Sequence, residues 1–501
     1  MKGIDRLAVI RHKSKINKDW KHKNLFRILR KNDIWIAAYE NVRSNYRILT
    51  TKTLNGISTQ RLLRLQGKVL TESYQFKSIR VAKSNRRKKS LKFATINDKI
   101  VQEVIRMVLE AVYEPCFSKK SFGFRQGLGI HAALGYIESK FCWVDWVIEG
   151  DIKSTGLVID YKQLFKILTK KIHDIRFLNL IRKLLKSGIL CQRQFTGSNF
   201  IVPQGNLVFS IFANIYFNEL DEWFENKINL FYQFHTNQCN SKYKQLSYQK
   251  KGQLQKLEKK SNEYKTLPEE LKVLKIKEER DTDFMLQENQ IEYIRYADSW
   301  MIGIKGDSTV AKELKSEVSY FVVSSLKQPL QSLQTKITDL TSGKAKFLGY
   351  EIYFPRNQTI IPHTRFSNRT LPRTNPRLRF DISADFVLRK MEELGYIKKL
   401  VKGYRPISLA RYTPLEDIKI VKHYEKISKG LLNYYSKCTN SSKLQYMHYL
   451  LYISCAMTLS HRHRLSLKKI FKKYGKSLKV SRDNINASFP YRKAWSRKTK
   501  K

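Results

Sequence analysis

Acidic residues are scarce in this 501-residue chain: 43 Asp and Glu stand against 96 Lys and Arg, a formal net charge of +53. A surface so one-sided repels itself unless a polyanion offsets it, and nucleic acid is the obvious partner. Glycine (21) and proline (11) are also few, which argues against a disordered basic tail protein. Cysteines number six, with no CxxC pair among them. That excludes a disulfide framework and points to a reducing compartment. His461-Arg462-His463 follows Cys455, but no second ligand pair stands at zinc spacing, so these residues are read as part of a basic face. Apolar runs fall short of the ~18 residues a membrane span needs, and no membrane partner is expected. The basic N-terminus (MKGIDRLAVIRHKSKIN) has too short and broken an apolar stretch for a signal peptide, and no clear transit peptide. What is present is ample core material: 42% apolar and 12% aromatic residues, enough for roughly two to four domains of about 100–200 residues. A ribosomal or chromatin protein is the plainer reading of the charge, but such proteins are usually much shorter.

One further absence is chemical. Residues 291–304 read IEYIRYADSWMIGI, an apolar strand, a short turn and a second apolar strand, with Asp298 in the turn. A two-metal polymerase places carboxylates on such a turn, because its Mg²⁺ ions clamp the attacking and leaving oxygens of phosphoryl transfer. The expected tip is Tyr-Ala-Asp-Asp; here it is Tyr296, Ala297, Asp298 and Ser299. Serine cannot supply the missing charge. A second acid, Asp151, ends the strand-like run WVDWVIEGDI at 143–152. Two carboxylates can hold Mg²⁺ only weakly, so Asp151 and Asp298 are candidate residual catalytic residues and weak Mg²⁺ ligands, and no cofactor is certain.

Residues 1–75 read as mixed and helical, with a turn at Asn55-Gly56. The run Arg86, Arg87, Lys88, Lys89 is either a solvated loop or an RNA contact. In SFGFRQG at 121–127, two glycines and Arg125 suit a turn that brings backbone close to a phosphate. One helix is expected from about 160 to 187, and another after Pro203-Gln204-Gly205. The charged stretch 227–290 suits solvent-exposed helices inserted between core elements. KAKFLGYEIYF at 344–354 reads as a strand pair. Prolines and arginines at 361–380 resemble a linker, and from 381 onward the chain reads as all helical. In 417–435 an apolar stripe (Ile418, Val421, Tyr424, Ile427, Leu431, Tyr434) leaves Lys419, Lys422, Lys426 and Lys429 mostly off it. The basic end, 481–501, reads as a tail.

Taken in order, these segments resemble the group II intron maturases, relatives of reverse transcriptases, from about residue 25 to 478. In the fingers segment Asp98, Val101, Gln102, Ser121, Gly123, Phe124, Arg125 and Gly127 match. WVIEGDIK matches the palm strand with the first metal-binding Asp. Pro203, Gln204, Gly205, Ala213, Asn214, Tyr216, Leu220 and Asp221 match the family's Pro-Gln-Gly helix, and KAKFLGYEI the strand after the catalytic hairpin. IKIVKHYEKISKGLLNYYSKC and ISCAMTLSHRHRLSLKKIFKKYG resemble the thumb and domain X, the maturase-specific RNA-binding part.

The resemblance implies an α+β right-hand polymerase followed by an all-α thumb and domain X. Its parts would be a fingers extension at 1–75, fingers and palm at 76–360, thumb and domain X at 361–480, and the tail. It implies group II intron RNA, within precursor mRNA, as partner and splicing assistance as function. Arg86, Arg87, Lys88, Lys89, Arg125, Lys419, Lys422, Lys426, Lys429, Arg462, Arg464, Lys468 and Lys469 become candidate RNA contacts. It favours an organelle, a plastid over a mitochondrion. No endonuclease module is expected, since its cysteine pairs are missing. The departures lie in the nucleotide pocket. Ser299 replaces an acid, Gly156 replaces the aromatic beneath the nucleotide sugar, Leu157 replaces the acid after it, and KSLKFAT puts Lys89 at an arginine position. Polymerisation is therefore expected to be lost or weak. The rivals are an active intron-encoded reverse transcriptase and a general basic RNA-binding protein.

Overall fold

Leu62, Leu65 and Val69, and again Ile100, Val104, Val108 and Val112, recur at three- to four-residue spacing, and each set is the buried face of a helix. Ser58 and Thr95 cap these helices by accepting from the amides of Arg61 and Asp98. The computed structural model describes residues 2–46, 58–77, 80–82, 91–93, 95–152, 159–189, 208–231, 290–328, 333–355, 378–401, 403–482 and 485–490. The chain divides into two compact units: Met1–Ala133 with Val144–Ile337, and Leu134–Trp143 with Thr338–Lys501.

The first unit carries helices α1 (Gly3–Ile16), α2 (Asn32–Tyr46), α3 (Thr59–Leu70), α4 (Ile96–Tyr113), the start of α5 (Ile130–Lys140), α6 (Tyr161–Lys171), α7 (Ile175–Ile189), α8 (209–231) and α9 (Ser308–Ser324). A ribbon pairs β1 (Arg80–Ala82) with β2 (Leu91–Phe93). The main sheet has the order β3-β5-β6-β4-β7, from β3 (Ser121–Phe122), β4 (Trp146–Ile152), β5 (Gln290–Tyr296), β6 (Ser299–Lys305) and β7 (Leu333–Asp339). The buried core of this unit joins Ile148, Tyr293, Trp300 and Ile302 of the sheet to Tyr216, Leu220 and Phe224 of α8.

The single helix expected from 160 to 187 is two. Ile172 leaves the helix to bridge His22, whose amide donates to Lys171 O at 2.7 Å. Asp174 then accepts from the amides of Phe177 (3.2 Å) and Phe26 (2.7 Å), which caps α7 and ties it to the N-terminal segment. The charged stretch expected to form inserted helices lies outside the described residues from 232 to 289, as do the Asn55-Gly56 turn and 361–377 of the linker expected at 361–380, whose last residues instead enter a strand at Arg379.

In the second unit, β8 (Ala345–Phe347), β9 (Tyr350–Tyr353) and β10 (Arg379–Ile382) form a three-stranded sheet in the order β10-β9-β8. There follow α10 (Ala384–Glu393), a hairpin of β11 (Ile397–Lys399) and β12 (Tyr404–Pro406), α11 (Asp417–Tyr434), α12 (Ser441–His463), α13 (Leu467–Tyr474) and a ribbon of β13 (Val480–Arg482) and β14 (Ile485–Ala487). The expectation of an all-helical segment after 381 is thus corrected. Its strands are three or four residues long and paired in ribbons, too short for an alternation of period two to show. The helical core is as expected: α11 and α12 pack with the Tyr424 hydroxyl buried against Ser454 Oγ (2.9 Å) and Thr458 Oγ1 (3.0 Å). The chain is therefore mixed α and β. Among the described residues no helix is long and apolar enough to cross a membrane.

Candidate functional site

Strands β5 and β6 meet in a two-residue turn, with Tyr296 opposite Ser299. Ala297 has φ +57°, the positive angle that tight hairpin turns need and that glycine usually supplies. Across the sheet Ser299 also pairs with Asp151, and the Ile152 amide donates to Asp298 O at 3.2 Å. The register therefore brings Asp151, Asp298 and Ser299 to one edge. Ser299 Oγ donates to Asp151 Oδ1 at 3.2 Å, so a neutral donor stands where a third carboxylate was expected. Burial, and then the charge of Asp151, push the Asp298 carboxyl above the usual carboxylate range, against a backbone hydrogen bond and the charge of Arg295. Among the described residues no three His, Cys, Asp or Glu side chains gather as a metal would require. Two carboxylates can hold a single Mg²⁺ that keeps most of its waters; they fall short of a three-acid, two-metal set. Gly156 and Leu157 lie outside the described residues.

The turn is held from below by Arg295, which the sequence did not single out, and by Asp221, which it marked only as a family match. Arg295, on β5, is 1% exposed and Asp221, on α8, is 0% exposed. The guanidinium donates to both Asp221 oxygens at 2.7 and 2.6 Å, to Ser121 Oγ at 2.6 Å and to Ala297 O at 2.7 Å. The Tyr293 hydroxyl adds a bond to Asp221 Oδ1 at 2.8 Å. A planar guanidinium with fixed donors suits such a node, and a buried charge needs this degree of pairing. The available signal was an arginine inside the apolar run IEYIRY.

The SFGFRQG loop packs against the same turn. The Ala297 amide donates to Phe122 O at 3.2 Å, and Asn214 Nδ2 to Gly123 O at 3.2 Å. Gly123 has φ +88°, and a Cβ there would lie 2.9 Å from the Ala297 nitrogen, so both conformation and space require glycine. Arg125, expected at a phosphate, faces protein acceptors. Its side chain is 9% exposed. It donates to Glu114 Oε1 (2.8 Å), Ser118 O (2.7 Å) and Ser121 O (2.8 Å). It braces the loop from inside. The run Arg86, Arg87, Lys88 and Lys89 lies outside the described residues.

In the second unit the lysines of α11 are exposed, while Ile418, Val421 and Tyr424 of the expected stripe are buried. Ile427 and Leu431 are half-buried and Tyr434 is exposed, so the stripe fades toward the helix end. Two lysines have partners on their own helix turn: Lys419 with Glu416 at 3.2 Å and Lys429 with Glu425 at 2.6 Å. Lys422 and Lys426, one helical turn apart, have no carboxylate partner among the described residues. Helix α13 (LKKIFKKY) buries Ile470 and exposes Lys468, Lys469, Lys472 and Lys473. These cations repeat at i and i+4, where like charges repel. Arg464 is exposed at the end of α12. Arg462 instead turns toward protein: Nε lies 2.8 Å from Asp417 Oδ1, and Nη1 donates to Thr413 O at 3.0 Å. Asp417 also bonds His463 (2.9 Å) and Tyr474 (2.6 Å). Burial pushes its carboxyl up, but the bonds from Tyr474 and His463 and the cations beside it hold it below the usual range. Arg462 and His463 thus join three helices, and the candidate RNA contacts of the unit that do face outward are those of α11 and α13 together with Arg464.

Comparison with known proteins bears on both units. A family model described as type II intron maturase matches residues 375–500. The group II intron-encoded protein LtrA of Lactococcus lactis subsp. cremoris is 30% identical over 478 residues, 92% of this chain and 78% of that protein. An uncharacterized 91 kDa protein in the cob intron of Schizosaccharomyces pombe is 31% identical over 93% of this chain. Maturase K of Cephalotaxus fortunei is 22% identical over 95% of this chain and 93% of its own length. The chain spans 58% of the length of the Schizosaccharomyces pombe relative, and the same share of a putative COX1/OXI3 intron 1 protein of Saccharomyces cerevisiae.

Proposed function

Because the chain belongs to the group II intron maturase family, we propose that it binds group II intron RNA within a precursor transcript and promotes its splicing, with template-directed polymerisation lost or weak. The observation that carries this reading is the pair of cationic faces on α11 and α13, which lie inside the segment matched by the maturase model. Among the described residues no carboxylate offsets the charge of Lys422 or Lys426, and RNA phosphates would do so. A group II intron is itself the catalyst, so the protein need only hold its active fold. Binding the compact state more tightly than misfolded ones shifts the RNA population toward it. Specificity would come from RNA shape, loops and stacked bases.

In this reading the main sheet of the first unit is the palm of a right-hand polymerase, and the second unit holds thumb and domain X. Ser299 supports the loss of polymerisation, because a hydroxyl that donates to Asp151 adds no negative charge for a second Mg²⁺. An organellar home fits the likeness to a Marchantia polymorpha relative described as mitochondrial. The comparisons do not favour plastid over mitochondrion.

Binding of purified protein to its intron over a salt series tests the proposal. Affinity should fall about 10³-fold or more between ~50 and ~200 mM salt, and the preference for the intron over bulk RNA should persist. An affinity that barely changes would remove the phosphate-contact basis. Primer extension on an RNA template should yield little cDNA, and robust Mg²⁺-dependent synthesis would overturn the polymerase part.

A further inference from the structure

The β11–β12 hairpin places Lys398 directly opposite Arg405, and both side chains are exposed. Like charges facing each other across an antiparallel pair destabilise it. Among the described residues no carboxylate pairs with either. Glu392, the acid beside the ribbon, accepts from the Lys399 amide at 3.1 Å. At the tip, Leu400 is 46% exposed and Val401 fully exposed. The tip turn is closed by the Leu400 amide on Gly403 O at 3.0 Å, with Gly403 at φ +87°.

The base of the hairpin is the opposite of its tip. Tyr396 and Ile397 are buried. The Ile407 amide donates to Tyr396 O at 3.0 Å, Ser454 Oγ to Ile407 O at 2.7 Å, and the Leu409 amide to Thr458 Oγ1 at 2.9 Å. A firmly seated ribbon thus presents opposed cations on its flanks and two bare aliphatic side chains at its end. Neither feature is favourable in water, and one kind of partner offsets both. Phosphates would neutralise the cations, and the face of an unstacked base would cover the aliphatic tip.

We propose that the Ile397–Pro406 hairpin is an RNA-docking wedge. Lys398 and Arg405 hold backbone phosphates while Leu400 and Val401 pack against a base splayed from a loop or bulge. A regular A-form duplex does not suit the tip, because its deep groove is too narrow and its bases are stacked. The inference rests on the reading of this unit as a binder of intron RNA, and adds a contact that the lysine helices do not make. An anionic membrane is the other surface that cations and aliphatic side chains could meet. RNA is favoured because the same unit carries the cationic faces of α11 and α13.

Three double variants of the full chain test the wedge: Lys398→Ala with Arg405→Ala, Leu400→Ser with Val401→Ser, and Lys422→Ala with Lys426→Ala as comparator. The hairpin charge variant should bind intron RNA about 10-fold more weakly, with a salt slope shallower by about two units. The tip variant should lose about 10-fold at an unchanged slope, because a packed base contributes affinity without releasing counterions. Nucleotide probing of the RNA should show at least one loop or bulge position protected by the parent protein and not by the tip variant. Parent-like binding by both hairpin variants, with the comparator weakened, overturns the wedge and leaves the RNA reading standing. If the parent protein shows no salt-steep binding, that reading fails and the wedge with it. Hairpin-dependent capture by phosphatidylserine vesicles, with RNA binding unmoved, also overturns the wedge.

Discussion

At the scale of single residues, the sheet edge at the β5–β6 turn joins one raised carboxyl to one missing one. Asp298 carries a desolvation cost and the repulsion of Asp151 whenever both are ionised. A group whose folded-state pKa is raised stabilises the fold at low pH and loses that contribution as pH rises through the folded value. Asp298→Asn is therefore expected to raise thermal stability at neutral pH. The gain should shrink as pH falls through the folded-state value toward about 4, the ordinary carboxylate value, and vanish below it, where the carboxyl is protonated in folded and unfolded chains alike. Melting curves from pH 4 to pH 7 check this, and a stability loss at neutral pH would contradict it. Ser299→Asp should act in the other direction. A third charge on this edge should cost about 1 kcal/mol without metal, the size of one like-charge pair near 4 Å in a water-like medium. Added Mg²⁺ should recover part of that loss, read as a shift in melting temperature. Primer extension by this variant should stay well below that of an intact polymerase, because Gly156 and the altered fingers segment are unchanged. That Asp298 lies in a hairpin turn and Asp151 near a strand end was legible, because short apolar runs broken by a turn or an acid read directly as strands. Arg125 was misread because a loop arginine between glycines reads as solvent-facing; only packing shows Glu114 and two carbonyls waiting for it.

Among elements, the β5–β6 hairpin depends on the buried pair of Arg295 and Asp221. Removing one partner leaves an unpaired buried charge, so Arg295→Ala is expected to cost about 3–5 kcal/mol, measured by urea unfolding. Replacing both, with Arg295→Met and Asp221→Leu, should cost less than the single change. A single variant that unfolds at the parent midpoint would show that the pair holds nothing. This node was not legible because strand periodicity marks positions as buried or exposed, and a charged residue at a buried position is scored as a mismatch. Its partner lies 74 residues away on α8. The helices of the second unit were more legible: Ile418, Val421 and Tyr424 are buried where helical spacing puts them. Its first strands were legible too, since β8 and β9 fall in the strand pair read at 344–354, but the later ones were not, because Phe380 and Ile382 are fixed by pairing with β9 and not by a local pattern.

For the molecule as a whole, the net charge of +53 and the two compact units suggest a division of labour. One unit brings Asp151, Asp298 and Ser299 to one sheet edge, and the other presents cations of which Lys422 and Lys426 have no carboxylate partner among the described residues. Composition already implied a polyanionic partner, but it could not say which lysines are committed elsewhere. The structure sorts them: Lys419 pairs with Glu416 just before its helix and Lys429 with Glu425 within it, while Lys422 and Lys426 stand free of carboxylates among the described residues. The central claim is that splicing depends on this cationic surface and not on the palm acids. The most direct test compares intron splicing rate and affinity for Lys422→Ala with Lys426→Ala against Asp151→Asn with Asp298→Asn, with circular dichroism to show that each is folded. The account predicts that the lysine variant binds and splices more weakly, with a salt slope shallower by about two units, and that the aspartate variant splices like the parent. An aspartate variant that stops splicing, beside a lysine variant that does not, would contradict it.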